Sequence, residues 1–268
     1  MTRLVTALAC LLVLSAAGVD AAEPPQLASA RAHYNAANYD LAISTASQSR
    51  KLDQWADPSA LVIGRSHLEL YRLHTRTDDL VAAREALLTV RAGSLTPRDQ
   101  VDLQIGLGQS LYYGDLYGAG AELFDTALAG GALMSTRDRQ QLLDWWATAL
   151  DRDVQTRPVD RRQVVYQRIL LRMEDEVRDD ASNPAANYWL AVSARGTGDL
   201  DRAWHAAIAA WVRAALAPDG GAALREDLDR LVNEALLSDR VRARPGREQA
   251  DALHSLQAEW NQVKALYP

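Results

Sequence analysis

Cysteine is almost missing: Cys10 is the only one in 268 residues. A disulfide framework, a zinc site built on cysteine and a cysteine nucleophile are therefore excluded. Lysine is nearly as scarce, with Lys51 and Lys264 alone, so the cationic chemistry belongs to arginine. Positive charge is in deficit overall: 29 Lys and Arg face 35 Asp and Glu, for a net charge of -6. That balance argues against a chain built to grip phosphate backbones, so no nucleic-acid partner is expected. Also missing is any useful length of strand-like alternation. What is present is a hydrophobic content of 48%, ample for a folded core and too high for a mainly disordered chain. The length allows one or two domains, or one elongated one.

The first residues read as a leader. Arg3 is a minimal positive region, and Leu4 to Val19 is an uncharged, mostly apolar run. Val19-Asp20-Ala21 then offers small residues at a cleavage site, and Glu23-Pro24-Pro25 opens a polar segment. This is the pattern of a secretory signal peptide over residues 1–22, with cleavage expected near Ala21 or Ala22. The run is short of the roughly twenty residues that span a bilayer, so no integral span is expected in the mature chain; an uncleaved N-terminal anchor is the alternative. Cys10 lacks the residue order of a lipoprotein site, since Leu8 stands one place too late and apolar residues follow. Removing Arg3 and Asp20 leaves the net charge at -6, so the expected product is an acidic, cysteine-free protein exported to the periplasm or secreted.

Beyond the leader the chain repeats itself. Asn38-Tyr39-Asp40-Leu41-Ala42 returns as Asp79-Leu80-Val81-Ala82-Ala83, Asp115-Leu116-Tyr117-Gly118-Ala119 and Asp199-Leu200-Asp201-Arg202-Ala203. The aligned alanines are 41, 36 and 84 residues apart, so the last gap holds a degenerate unit near Arg161, after the break at Pro158. Each Asp or Asn is a suitable helix N-cap, and the alanine four places on lets a neighbouring helix come close. A second amphipathic segment precedes each cap. In the clearest copy Tyr188-Trp189-Leu190-Ala191 runs through Ala194 to Gly198-Asp199, then Ala203, Trp204, Ala207, Ala210 and Pro218. Gly198 supplies the positive φ that ends one helix before Asp199 starts the next.

These residues resemble the tetratricopeptide repeat: a small residue in the first helix (Ala191), a Gly-Asp turn, an alanine in the second helix (Ala203) and a closing proline. Leu107 to Asp115 is a second good copy, one residue short before the turn; Leu61 to Leu68 belongs to a third, whose first helix is extended by roughly two turns. The first copy carries Ala37 where the turn glycine belongs. The resemblance covers Leu27 to Pro218 and implies an all-α fold, a right-handed α-solenoid of about five helix pairs over residues 23–218. Residues 219–268 then read as C-terminal capping helices, Ala222 to Ser238 and Glu248 to Leu266, the latter with an apolar stripe of Leu253, Leu256, Trp260 and Val263.

Candidate chemistry is thin. His33, His67, His74, His205 and His254 show no metal-ligand spacing, and no Gly-x-Ser-x-Gly elbow is present. Gly106-Leu107-Gly108 lacks the third glycine of a phosphate loop and reads as helix packing. The acidic run Glu174-Asp175-Glu176 with Asp179-Asp180 reads as a solvated helix face, and Arg240, Arg242, Arg244 and Arg247 as a linker. No metal, no cofactor and no catalysis are expected.

The aromatic residues say more. In the family that the chain resembles, the first helix of each pair lines a concave groove. Carried over copy by copy, the groove side holds Arg31, Tyr34, Arg65, Gln109, Tyr112, Trp146, Tyr188 and Arg195. Trp145 and Trp146 point about 100° apart on a helix, and the expectation is Trp145 in the core and Trp146 in the groove. Aromatic and arginine side chains are the usual anchors of binding energy, although the same residues would also fill a wide two-layer core. The Lys/Asn clamp by which some members hold a C-terminal carboxylate is absent. The expected function is a non-catalytic interaction scaffold of the cell envelope that binds a peptide or protein partner. The alternative is a glycan-binding protein or glycan-active enzyme, with carboxylates such as Asp102 and Asp144 beside an aromatic groove.

Overall fold

The computed structural model describes residues 22–217 and 220–268. The expected leader, Ala22 excepted, and Pro218 lie outside the described residues. Every regular element among those residues is helical. Five helical hairpins follow one another: α1 (Pro25–Asn35) with α2 (Tyr39–Ser49), α3 (Ala56–His74) with α4 (Thr77–Leu88), and α5 (Pro97–Tyr112) with α6 (Tyr117–Ala129). Then come α7 (Thr136–Gln155) with α8 (Val159–Asp179), and α9 (Pro184–Gly196) with α10 (Leu200–Arg213). α11 (Ala222–Leu231) runs through a π-turn, Val232–Leu236, into α12 (Leu237–Arg242), and α13 (Gln249–Leu266) closes the chain.

Each helix packs on the next, and odd-numbered helices also touch across the pairs, α1 on α3, α3 on α5, α7 on α9 and α9 on α11. The odd helices thus touch in two runs, α1–α3–α5 and α7–α9–α11. Their starts are written locally. Thr96, Ser135 and Asn183 each accept the backbone N–H three residues on, at 3.1 Å, which satisfies a donor that the first turn leaves orphaned. Pro97 and Pro184 occupy first-turn positions where the missing N–H costs nothing.

The turns inside the pairs depart from the expected form. Asp199 caps α10 through Arg202 N–H at 2.9 Å, and Gly198 has φ 87°. Elsewhere the left-handed position falls on Ala37 (φ 58°), Thr75 (φ 54°) and Asp115 (φ 61°). Asn38 makes no side-chain cap bond, and Asp79 is buried inside the first turn of α4, held by His67 at 3.0 Å and Arg76 at 2.8 Å. Because Asp115 takes the place of Gly198, the third copy shifts by one residue: Ala119 is exposed and Gly120 is buried in its stead. A Cβ on Gly120 would stand 3.1 Å from the carbonyl of Gly108, and one on Gly108 would strike the Phe124 ring at 2.6 Å. The two glycines therefore let α5 and α6 cross at backbone contact, and Gly106-Leu107-Gly108 lies within a packed helix.

The core runs along the chain as successive clusters, from Leu27 and Ala42 through Leu61, Leu87 and Phe124 to Trp204 and Trp260. α13 packs on α12 and α10. Trp260 is fully buried with its ring 5.3 Å from that of Trp211, and Leu256 lies beside it, but Leu253 is exposed and Ala252 takes its place in the seam. Among the described residues no helix is long and apolar enough to cross a membrane.

Candidate functional site

A cleft of about 610 Å³ is walled by the odd helices α1, α3, α5 and α7, with Tyr39 at the edge of α2. Arg31, Tyr34, Arg65 and Gln109, four of the expected groove residues, meet there although 78 residues separate the first from the last. The geometry follows from helix register: each is half-buried on the face that its helix turns away from the even-numbered partner.

An ion-pair ladder forms the floor. Arg31 grips Asp99 with both terminal nitrogens, at 2.8 and 3.0 Å, and donates through Nε to Glu23 at 2.8 Å. Arg65 reaches Asp102 at 2.9 Å, and Arg98 spans Asp102 at 3.3 Å and Asp138 at 3.4 Å. Burial works against the charge on Arg31 and Arg65, but the facing Asp99 and, for Arg65, Tyr34 and Asp102 hold both above the ordinary arginine value. The Arg65 guanidinium lies 4.9 Å from the Tyr34 ring centre, a cation–π pair, and burial raises the Tyr34 phenol above its usual range. Arg65 Nε is buried without a partner.

The two tryptophans are reversed from expectation. Trp146 is 1% exposed and packs in the core of α6 to α9, beneath the guanidinium groups of Arg168 and Arg172 at 5.6 and 5.7 Å. Trp145 lines the cleft instead. The reason is the phase of α7: Leu142, Leu143, Ala147 and Leu150 set its buried face, and Trp146 lies on that arc, while Trp145 lies at its margin. Tyr112 stands one ring behind Trp145, at 5.0 Å, with Arg152 over its other side at 5.7 Å. Tyr188 packs against Trp189 at 5.5 Å, and Arg195 pairs with Asp239 at 2.5 Å, so these two belong to the second half of the chain and not to this cleft.

Among the wall residues that escaped the sequence reading are Tyr39, Arg72, Arg98, Arg137 and Gln141. A signal existed for two of them. Thr96-Pro97-Arg98-Asp99 and Ser135-Thr136-Arg137-Asp138 are the same cap-x-Arg-Asp phrase, 39 residues apart, and each places its arginine second in an odd helix.

Of the carboxylates of the glycan alternative, Asp102 lies in the cleft wall paired with Arg65 and Arg98, and Asp144 accepts Trp189 Nε1–H at 2.8 Å. Of the acidic run on α8, Glu176 is buried and held by Arg139 at 2.6 and 2.8 Å, while Asp175 and Asp179 are exposed. Arg240 lies over Trp204 at 5.3 Å and donates to the Leu200 carbonyl, so it braces the fold. Among the described residues no cluster of His, Cys, Asp and Glu is arranged to hold a metal ion. No protein-family model, curated protein or solved structure matches the chain.

Proposed function

We propose that this protein is a non-catalytic interaction scaffold, an α-solenoid of tetratricopeptide-like pairs that binds a peptide or protein partner along its odd-helix face and works outside the cytoplasm. One observation carries the reading: four helices distant in sequence contribute arginine, tyrosine and tryptophan side chains to one open cleft. Such a cleft is suited to recognition. Aromatic residues bury large areas at modest entropy cost, and the ladder beneath them holds the arginines Arg31 and Arg65 in place before a partner arrives.

The odd layer would be the concave side of the solenoid and α13 its terminal cap, since a repeat array must cover the apolar face of its last unit. Envelope location rests on the leader pattern of the sequence. Capture of proteins from envelope extract on the immobilised chain, set beside a glycan-array screen, tests the reading. A protein or peptide partner whose binding is lost with Tyr34→Ala supports it. Saturable glycan binding without any such partner overturns it in favour of the glycan alternative.

A further inference from the structure

We propose that the cleft takes an extended peptide segment rich in Asp and Glu, and that Arg98 and Arg137 form the rim that reads its acidic side chains. The proposal rests on the peptide-scaffold reading above and narrows it to one ligand chemistry.

Charge is the first observation. The chain as a whole carries -6, yet the cleft wall holds five arginines against three carboxylates, Glu69, Asp102 and Asp138. With Asp99 and Glu23 paired to Arg31 the acids of the site also number five, so the cleft is balanced where the protein is otherwise acidic, and its unpaired cation among the described residues is the exposed Arg137.

The second observation is what the arginines do. Arg31 and Arg65 are committed to buried aspartates and build the floor. Arg137 is exposed, lines the cleft, and has no hydrogen bond or ion pair among the described residues. Arg98 is held by the Leu133 carbonyl at 2.7 Å and by Asp102 and Asp138 at the longer distances of 3.3 and 3.4 Å, so the two carboxylate contacts are the ones that an incoming acid would replace. Both stand second in their helices, where a cation opposes the positive end of the helix dipole. Helix stability gives no reason for an arginine there, and the phrase is nevertheless used twice. A guanidinium fork matches a carboxylate in two parallel hydrogen bonds, so each arginine can seat one acidic side chain.

The remaining wall selects among anions. Tyr34, Trp145, Ile105 and Leu142 alternate with the charges, and Asp102 and Asp138 repel a uniformly charged polyanion. Nucleic acid and heavily sulfated glycans are disfavoured on that ground, whereas a peptide mixing acidic and apolar residues fits. Four helices at about 8–10 Å per step give a path of roughly 24–30 Å. That length takes about eight residues of extended chain.

The test is selection of a randomised nonapeptide display library on the immobilised full chain, at low and at high salt. Asp and Glu should be enriched among binders at low salt, and the enrichment should fade at high salt. Arg137→Glu, an exposed site where a first-turn anion should not lower the melting temperature, should weaken the selected peptides roughly tenfold. Arg98→Gln should act in the same direction. Binders lacking acidic enrichment, or acidic binders indifferent to Arg137→Glu, would overturn the proposal and leave the peptide-scaffold reading standing. If no peptide is selected and a glycan array gives binding that Tyr34→Ala abolishes, both fail together.

Discussion

Trp145 and Trp146 are neighbours on α7 with opposite surroundings: Trp146 is sealed in the core, and Trp145 walls the cleft with its ring 5.0 Å from Tyr112. One helical step of 100° separates a stabilising residue from one available to a ligand.

Substitution should separate the two. Trp146→Ala should cost about 3–5 kcal/mol in a urea titration, the range for emptying a large buried aromatic site. Trp146→Phe should cost much less, since it also removes an indole N–H that is buried without a partner. Trp145→Ala should cost less than Trp146→Ala and weaken partner binding. Equal losses of stability from both alanine variants would mean that the ring at 145 is core as well.

The left-handed turn positions offer a pair of changes with opposite signs. Thr75 holds φ 54° with a β-branched side chain, so Thr75→Gly should stabilise by about 1 kcal/mol. Gly198 holds φ 87° in open space, so Gly198→Val should destabilise by a similar amount through the backbone alone. Thermal melts decide both, and a fall in melting temperature with Thr75→Gly would contradict the turn geometry.

Acid should loosen the fold in a defined window. Burial raises the Glu176 carboxyl, but Arg139 and Arg172 outweigh it and hold the group below its ordinary value. Asp79 is likewise lowered against burial by His67 and Arg76, and Asp229 by Lys264 and Trp260. A carboxylate depressed in the folded state contributes stability that is complete above its unfolded pKa, near 4–4.5, and drains away as pH falls through the folded value. The urea midpoint should therefore hold steady down to about pH 5 and drop below it. Glu176→Gln should lower the midpoint at neutral pH and make the acid decline shallower; an unchanged decline would remove Glu176 from the account.

Export makes a separate prediction. N-terminal sequencing of protein from the native host should begin within a residue or two of Ala21 or Ala22. A chain starting at Met1 in the cytosol would count against the leader and against a scaffold outside the cytoplasm.

Helix content and the pairing of helices were legible from the residues themselves, because both depend on local chemistry: the alanine spacing, the Gly198-Asp199 turn and the 3.6-residue apolar stripes each act within a few turns of chain. The long α3 was legible in the same way, and four wall residues, Arg31, Tyr34, Arg65 and Gln109, came from the resemblance carried over copy by copy. Tertiary packing decided the rest. Whether Trp145 or Trp146 entered the core depended on the phase of α7 against α6, α8 and α9, and a difference of one step is invisible in a sequence where both residues are tryptophan. Ala119 gave way to Gly120 for a like reason: Asp115 took the left-handed turn, and backbone contact with Gly108 then required a residue with no side chain. The cleft itself, with Arg98 and Arg137 at its rim, exists only because four helices distant in sequence turn side chains toward one space. Periodicity along a chain specifies which face of a helix is apolar, and the neighbours that come to rest on that face settle which of its marginal residues stay in contact with water.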